Sequence, residues 1–317
     1  MRKVSDKLQP WLDNFNKQMA ILVEEGFKPT ATNAREGLAN LTRGLITDIP
    51  EIAWIGDDLV LNEQYNVPVR IYHPIPNKVL PVIVYLHGGG HMAGSVTVYD
   101  PICRKLAKAT GHIVVSVDYR LAPEFRYPEG LNDAYTVVKN IWSTLDRRKV
   151  NYLRQLSVVG DSGGGALVAS VCAKAQFDSQ VTIDGQIMIY PSLDYTMQSK
   201  SIEQNSEGYL LQKNKICWYF DNYFNIGDDR KKASPLFGEF TNNLPATLVF
   251  TTEFCPLRDE GILYIQKVRE TGVATQLIHF PDMIHTFMNM EDLVKSECEF
   301  VYRSIAEFLE SNNEATA

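Results

Sequence analysis

The sequence has few cysteines and no long apolar run. Its five cysteines are an odd number scattered over 317 residues, without CxxC spacing. This pattern argues against a disulfide framework and against a zinc site. No stretch has the apolar length of a membrane span, and the N-terminal segment lacks the apolar core of a secretion signal. These absences predict a soluble, cytoplasmic protein that binds no membrane.

Positive charge is also scarce. Lys and Arg number 31 against 38 Asp and Glu, which gives a formal net charge of -7. Binding to nucleic acid requires a concentrated positive face, so we expect no nucleic-acid partner. Hydrophobic residues make up 45% and charged residues 22% of the chain, which is sufficient for a sizeable core. Length alone permits one large α/β domain or two small ones.

Short apolar runs alternate with amphipathic stretches through most of the chain. The runs are rich in β-branched residues and nearly continuous in apolar character, which is typical of buried parallel strands. The predicted strands are Pro81–His87, His112–Asp118, Leu156–Gly160, Gly185–Pro191, Ala246–Glu253 and Thr275–Phe280. Helical segments between them predict a mostly parallel sheet with helices on both faces. The alternating pattern of Leu59–Pro74 indicates an earlier antiparallel portion.

Two regions lie outside this alternation. Residues 1–45 carry apolar side chains at helical spacing, and residues 196–225 end in the aromatic segment ICWYFDNYF. One interpretation is that both regions merely cover edges of the core. The other is that they pack together as a cap over the C-terminal edge of the sheet, where open α/β folds bind ligands. We favour the cap.

The segment VVGDSGGG contains the strongest chemical signal. Gly160, Ser162 and Gly164 fit G-x-S-x-G between a predicted strand and a predicted helix. A nucleophile on so sharp a turn needs small neighbours, and the following helix directs its N–H groups at the reacting centre. The alternative is a glycine-rich turn whose serine only caps the helix. The strand–turn–helix context favours Ser162 as a nucleophile.

The segment HGGGHMAGS follows another predicted strand. Three consecutive glycines expose backbone N–H groups, and esterases build part of an oxyanion hole from such a loop. A phosphate-binding loop is the alternative, but the GK[ST] ending is absent. We expect His87 to brace this loop rather than to transfer protons.

A general base is expected downstream of the nucleophile. His279 lies within a predicted strand, whereas His285 follows that strand and precedes the final helix. Nucleophile, acid and then histidine is the chain order of α/β hydrolases. His285 is therefore the predicted base.

Five ordered motifs carry a family resemblance. The chain resembles hormone-sensitive-lipase-like carboxylesterases of the α/β-hydrolase fold from about residue 50 to the C-terminus, at HGGG (87–90), VDYRLAPE (117–124), GDSGGG (160–165), LPATLVFTTEFCPLRDEG (244–261) and MIHTFMNM (283–290). The resemblance implies a single domain over residues 1–317, with an eight-stranded, mostly parallel sheet and a helical cap.

The resemblance also implies the chemistry. Ser162 would be the nucleophile, His285 the base, and the N–H groups of Gly89, Gly90 and Gly163 the oxyanion hole. The substrates would be small-molecule esters of short- to medium-chain acids, hydrolysed without a metal or organic cofactor. Assembly into a homo-oligomer is left open.

One residue departs from the family pattern. The family motif is usually D-P-L-R-D-E-G and its first Asp is the triad acid, but this chain has Cys255 there. A neutral thiol replaces a carboxylate poorly. Either a relocated carboxylate serves as the acid, Cys255 is a thiolate, the enzyme is weak, or the fold has become a ligand-binding protein. The relocated acid would be Glu253, two residues earlier on the same predicted strand face, or Asp194, which follows the preceding predicted strand and so lies near the same sheet edge. An engineered substitution would give the same pattern. We expect a carboxylesterase whose triad acid is impaired or relocated.

Overall fold

The computed structural model describes residues 2–316, with side chains described through residue 312. Eight strands form one sheet in the order β1-β2-β4-β3-β5-β6-β7-β8. They are β1 Trp54–Val60, β2 Val67–His73, β3 Leu80–Leu86, β4 Ile113–Val117, β5 Tyr152–Asp161, β6 Gly185–Ile189, β7 Ala246–Phe254 and β8 Thr275–Ile284. Strand β2 pairs antiparallel with β1 and β4, and the remaining pairs are parallel. The predicted eight-stranded, mostly parallel sheet is confirmed.

Ten helices accompany the sheet in the described part of the chain. They are α1 Gln9–Glu24, α2 Ala31–Leu45, α3 Asp100–Thr110, α4 Glu129–Arg147, α5 Gly163–Ala175, α6 Lys200–Gln204, α7 Lys213–Tyr223, α8 Arg230–Ala233, α9 Arg258–Glu270 and α10 Lys295–Thr316. One apolar core includes residues of α4, α9 and most of α5, and a second includes residues of α3, α10, α1 and α7. Both faces of the sheet are therefore covered.

The burial of the central strands explains why continuous apolar runs predicted them. Every residue of β4 and of β6 is buried, as are the last five residues of β3. A strand that is covered on both faces gains from an apolar side chain at each position, so alternation is lost.

The pairing of β7 with β8 contains an irregularity close to their C-terminal ends. Thr252 pairs with Phe280, but Phe254 pairs with Ile284, so β8 advances four residues while β7 advances two. The bulge carries β8 past the predicted end of its strand and leads directly to His285.

The two regions outside the strand–helix alternation contact each other. Residues 1–45 contain α1 and α2, and residues 196–225 contain α6 and α7. The side chain of Asn16 on α1 donates to Gly208 O at 3.0 Å, and Arg2 donates to Asn205 Oδ1 at 2.7 Å. Helix α2 is fastened to the rest of the molecule by Arg35, which donates to Met92 O and pairs with Glu124.

Within residues 2–316, no helix combines the length and the apolar composition that crossing a membrane would require.

Candidate active site

Ser162 occupies a tight turn between β5 and α5. Its backbone has φ 51° and ψ −119°, a conformation that non-glycine residues rarely adopt. The turn is held by the Ser162 N–H, which donates to Ile189 O at 2.9 Å, and by the Ala166 N–H, which donates to Ser162 O. The side chain therefore projects beyond the C-terminal edge of the sheet at the N-terminus of α5.

The glycines beside Ser162 are required by close backbone contacts. A Cβ added to Gly164 would lie 2.0 Å from Leu86 O, and one added to Gly160 would lie 2.7 Å from the same oxygen. Any side chain at either position would push the turn away from β3. This explains the G-x-S-x-G spacing, since only glycine lets the turn pack on the neighbouring strand.

The glycine-rich loop after β3 lies opposite this turn. Gly89 and Gly90 have φ of +119° and +62°, and a Cβ on Gly89 would lie 2.2 Å from Ala93 O. A Cβ on Gly163 would lie 3.3 Å from the Gly90 nitrogen. The structure therefore brings the three glycines named from the sequence to one side of Ser162.

Asp161 fastens the glycine-rich loop to the serine turn. Its carboxylate accepts hydrogen bonds from Gly88 N at 2.7 Å and from the hydroxyls of Tyr85 and Tyr99 at 3.0 Å each. Burial raises the pKa of Asp161 to about 6, against the lowering effect of these donors. His87 also braces the loop, since its Nδ1 lies 2.9 Å from Gly88 O.

His285 lies against Ser162. Its Nε2 is 2.8 Å from Ser162 Oγ, and its side chain is buried beneath the ring of Tyr190, with ring centres 4.7 Å apart. Burial lowers the pKa of His285 to about 3, and the charge of Lys215 acts in the same direction. A neutral imidazole with its proton on Nδ1 can accept the serine proton at Nε2.

Cys255 lies on the opposite side of the imidazole. Its Sγ is 3.1 Å from His285 Nδ1 and also accepts a hydrogen bond from Leu257 N at 3.3 Å. The side chain is fully buried, and burial raises the pKa of the thiol. Ser162, His285 and Cys255 therefore form a continuous hydrogen-bonded row.

The pKa shifts of the pair argue against a thiolate–imidazolium pair. Burial raises the pKa of Cys255 and lowers the pKa of His285, so both shifts favour the neutral species. The resting row then contains a thiol, an imidazole and a hydroxyl, with no formal charge.

The structure does not bring either relocated-acid candidate to His285. The carboxylate of Glu253 pairs with Arg2 at 2.5 Å, with Arg258 at 3.0 Å and with His279 at 3.4 Å. The sequence predicted that the Glu253 side chain would share a strand face with Cys255. This prediction is wrong because β7 ends at Phe254, and the alternation of side chains along the strand does not extend to Cys255.

Asp194, the other candidate, caps its own loop. Its Oδ1 accepts from Thr196 N at 2.8 Å and from the Thr196 hydroxyl at 2.5 Å, and its Oδ2 accepts from Gln198 N at 3.3 Å. Spacing in the sequence placed Asp194 near the correct sheet edge but did not indicate these local hydrogen bonds.

A cavity of about 1490 Å³ opens onto Ser162 and His285. Ser162, His285, Gly89, Gly90 and Gly163 lie at its reacting end. Much of its wall is apolar and comes from the two regions that the sequence set apart, namely Trp11, Phe15, Met19, Leu38 and Leu41 of α1 and α2, and Ile216, Trp218, Tyr219 and Phe220 of α7. Among the described residues, no cluster of three His, Cys, Asp or Glu side chains could hold a metal ion.

Two residues of α7 that lie near the site were not identified individually from the sequence. Tyr219 packs over the glycine-rich loop, so that a Cβ on Gly90 would lie 2.7 Å from its ring, and Lys215 acts on His285 through its charge. The aromatic segment ICWYFDNYF indicated an apolar wall, but nothing in the local sequence indicated which face of α7 meets Gly90.

Comparison with known proteins identifies the family. Residues 83–289, more than half of the chain, match a family with the alpha/beta hydrolase fold. The chain belongs to the α/β-hydrolase family.

Several proteins similar to this chain are esterases. The chain is 32% identical over 247 residues to the ethyl acetate hydrolase of Pseudomonas putida, covering 76% of this chain and 77% of that protein. The structure of a hyperthermophilic esterase from Pyrobaculum calidifontis superimposes with a TM-score of 0.89 at 31% identity, covering 99% of this chain and 100% of that one. The hormone-sensitive-lipase-like carboxylesterase family is thus confirmed.

The family also contains a receptor. The chain is 28% identical over 280 residues to the gibberellin receptor GID1C of Arabidopsis thaliana, covering 76% of this chain and 81% of that protein. Membership of this α/β-hydrolase family is therefore compatible with both hydrolysis and ligand binding.

Proposed function

We propose that this protein is a serine carboxylesterase that hydrolyses short- to medium-chain carboxylic esters through an acyl-enzyme. The observation that carries the proposal is the 2.8 Å approach of Ser162 Oγ to His285 Nε2 at the reacting end of a large cavity. A serine and a neutral imidazole in hydrogen-bond contact form the nucleophile and base of acyl transfer.

The first half of the reaction forms the acyl-enzyme. Ser162 Oγ attacks the ester carbonyl carbon while its proton passes to His285 Nε2. The tetrahedral intermediate collapses, the bond to the alcohol oxygen breaks, and the alkoxide leaves as an alcohol with the proton from His285. Gly89, Gly90 and Gly163 direct N–H groups at the oxyanion, an interaction that is worth about 3 to 4 kcal/mol per donor in comparable enzymes.

The second half releases the acid. Water attacks the acyl carbonyl and gives a proton to His285 Nε2. The proton then returns to Ser162 Oγ as the bond between that oxygen and the acyl carbon breaks. The products are one alcohol and one carboxylic acid, and the free serine is regenerated.

Cys255 supports this cycle only in part. In the tautomer that the reaction requires, the Nδ1–H of His285 donates to the Cys255 sulfur and Nε2 is free. The thiol carries no charge to stabilise the imidazolium that forms during attack. We therefore propose an impaired triad rather than a relocated one, because Glu253 and Asp194 have other partners.

The cavity supports the substrate class. Residues 1–45 and 196–225 form the proposed cap, which supplies apolar side chains for an acyl or alcohol group. The volume of about 1490 Å³ exceeds what an acetyl group requires, so it accommodates medium chains as well as short ones.

A serine-directed phosphonate tests the proposal. We expect stoichiometric labelling of the wild-type protein, mapped to Ser162 by mass spectrometry, and no labelling of Ser162→Ala. Hydrolysis of 4-nitrophenyl esters from acetate to decanoate should be measurable, and Ser162→Ala should lose it. Absence of both labelling and hydrolysis in a folded protein would refute the esterase proposal.

The second candidate function is a hydrolase-fold ligand-binding protein. The observation that favours it is the neutral Cys255 at the acid position, together with the family's inclusion of a receptor. The phosphonate separates the two functions, since a binding protein with an inert centre would take up ligand in the cavity without being labelled.

A further inference from the structure

Lys215 introduces a positive charge at the reacting end of the cavity. It lies on α7, is exposed, and lines the same cavity as Ser162 and His285. Its Nζ is 5.9 Å from the centre of the Tyr219 ring, and that ring packs over Gly90 in the glycine-rich loop. The cation therefore lies beside the aromatic side chain that covers the proposed oxyanion hole.

This charge is not neutralised by a neighbouring carboxylate. Lys213, two residues earlier on α7, forms an ion pair with Glu203, whereas no ion pair involves Lys215 among the residues that the structure describes. Glu24, Glu207 and Asp161 also line the cavity, and the Asp161 carboxylate is occupied by three hydrogen bonds from the glycine-rich loop and two tyrosines. The charge that acts on His285 is that of Lys215. Among the described residues that line the cavity, Lys215 is the one Lys or Arg.

The charge of Lys215 affects the reaction proposed for Ser162, His285 and Cys255. During attack His285 becomes an imidazolium, and Lys215 disfavours that second positive charge. An aspartate at position 255 would oppose this effect, but the thiol of Cys255 does not. An anionic group of the substrate that pairs with Lys215 would offset the charge of the ammonium at the moment when the imidazolium forms.

We propose that Lys215 is a specificity-determining residue, and that the protein prefers esters carrying a carboxylate or another anionic group over neutral esters of equal length. The anionic group pairs with the ammonium of Lys215 while the ester carbonyl lies at Ser162. The inference rests on the esterase function proposed above. It names the substrate class of that same site.

Matched pairs of esters test this preference. Monoethyl adipate against ethyl hexanoate places the anion on the acyl side, and 4-acetoxybenzoate against 4-acetoxytoluene places it on the alcohol side. We expect kcat/KM to favour the anionic member of at least one pair by about tenfold at low ionic strength, with the preference decreasing as salt screens the charge. The pair that shows the preference identifies which side of the ester faces Lys215.

Variants of two lysines on one helix provide the control. Lys215→Gln should reduce the anionic-to-neutral ratio about tenfold, while kcat for the neutral esters should rise about twofold because the cation no longer opposes the imidazolium. Lys213→Gln makes the same change of charge two residues away, at a side chain that pairs with Glu203, and should leave the ratio unchanged.

Binding to the Ser162→Ala variant separates failure of this inference from failure of the esterase function. In the Ser162→Ala background, calorimetry should show that monoethyl adipate binds. Adding Lys215→Gln should increase its Kd about tenfold, and adding Lys213→Gln should leave the Kd unchanged. Neutral esters hydrolysed as fast as both anionic ones would overturn the preference and leave the esterase function intact. Anion binding through Lys215 without hydrolysis or phosphonate labelling would support the charge preference and overturn the esterase. If Lys215→Gln keeps both the hydrolytic preference and the affinity for the anionic ester, the proposed role of Lys215 is overturned.

Discussion

In the proposed mechanism, Cys255 places a neutral side chain where the imidazolium of His285 needs a negative charge. The sulfur has the contacts of a triad acid, with His285 Nδ1 at 3.1 Å and the Leu257 N–H at 3.3 Å. The position therefore retains the donors that a carboxylate would use, although the residue cannot ionise readily in its buried setting. The sequence indicated which residue would occupy the acid position, and the structure brings that residue to His285.

Restoring the carboxylate should increase the rate. In Cys255→Asp the carboxylate can accept from both donors and stabilise the imidazolium, so we expect kcat/KM for 4-nitrophenyl butyrate to rise by about 10- to 1000-fold. Cys255→Asn, which has the same shape without the charge, should show no comparable gain. An aspartate variant no faster than the asparagine variant would contradict the impaired-triad mechanism.

The same variant should change the pH profile. Wild-type His285 has its pKa lowered to about 3, so its neutral form persists through the acidic range and its protonation should not lower kcat/KM between pH 7 and 5. Any change that Asp161 causes in this range is common to the wild type and the variant. A carboxylate beside Nδ1 raises the pKa of the histidine. Activity of Cys255→Asp should consequently fall as pH decreases through that raised pKa, and superimposable profiles would show that no charge has been placed at Nδ1.

Glu253 and Asp194 distinguish an impaired acid from a relocated one. Their carboxylates have partners of their own, Arg2 and Arg258 for Glu253 and Thr196 for Asp194. We expect Glu253→Gln and Asp194→Asn to change kcat by less than about threefold. Loss of the acid from a working triad costs about 10⁴ in turnover, so a decrease of that size in either variant would identify the residue as the relocated acid.

At the scale of elements, the end of β7 shows where inference from the sequence stopped. The strand itself was predictable from its apolar run, and so was the turn that begins α9 at Arg258. The two-residue periodicity suggested that Glu253 and Cys255 share a face. It fails because the pairing shifts between Thr252 and Phe254, and because Cys255 lies beyond the strand. Sheet irregularities depend on the neighbouring strand, which local sequence does not specify.

Helix α2 offers a test of the proposed cap. Gly37 lines the cavity, and a Cβ added there meets no atom within 4 Å. Gly37→Trp should fill part of the cavity and lower kcat/KM for 4-nitrophenyl decanoate about tenfold relative to the acetate. Gly37→Ala adds only a methyl group, so the chain-length profile should be unchanged while stability rises by about 0.5 to 1 kcal/mol. An unchanged profile in Gly37→Trp would show that the acyl chain does not extend along α2.

At the scale of the whole molecule, the sheet and the nucleophile turn were predictable because their signals are local. Continuous apolar runs mark the buried strands, and the glycines around Ser162 reflect contacts within one turn and with its neighbouring strand. The wall of the cavity was not predictable in detail. Asn16 meets Gly208, and Tyr219 meets Gly90, across separations of more than one hundred residues. Such contacts arise only when distant elements pack together.

The buried histidine of the site links the chemistry to the stability of the entire fold. Burial lowers the pKa of His285 to about 3 from an ordinary value of 6.5. The unfolded chain therefore binds a proton below pH 6.5 that the folded protein takes up only near pH 3. Stability rises with pH wherever the unfolded state binds more protons. The contribution of His285 is thus fully present above pH 6.5 and decreases as pH falls towards 3.

Replacing this histidine should flatten the pH dependence of unfolding. One proton corresponds to about 1.4 kcal/mol per pH unit, so the free energy of unfolding of His285→Gln should gain on the wild type by about that amount per unit from pH 6 to pH 4. Urea denaturation at each pH provides the measurement, with Ser162→Ala as the control because it removes the partner of the imidazole but leaves the titrating group. We expect the Ser162→Ala curve to run parallel to the wild type. A His285→Gln curve that also runs parallel would show that the imidazole has the same pKa in the folded and unfolded states. It would contradict the lowered pKa from which the wild-type pH profile is predicted.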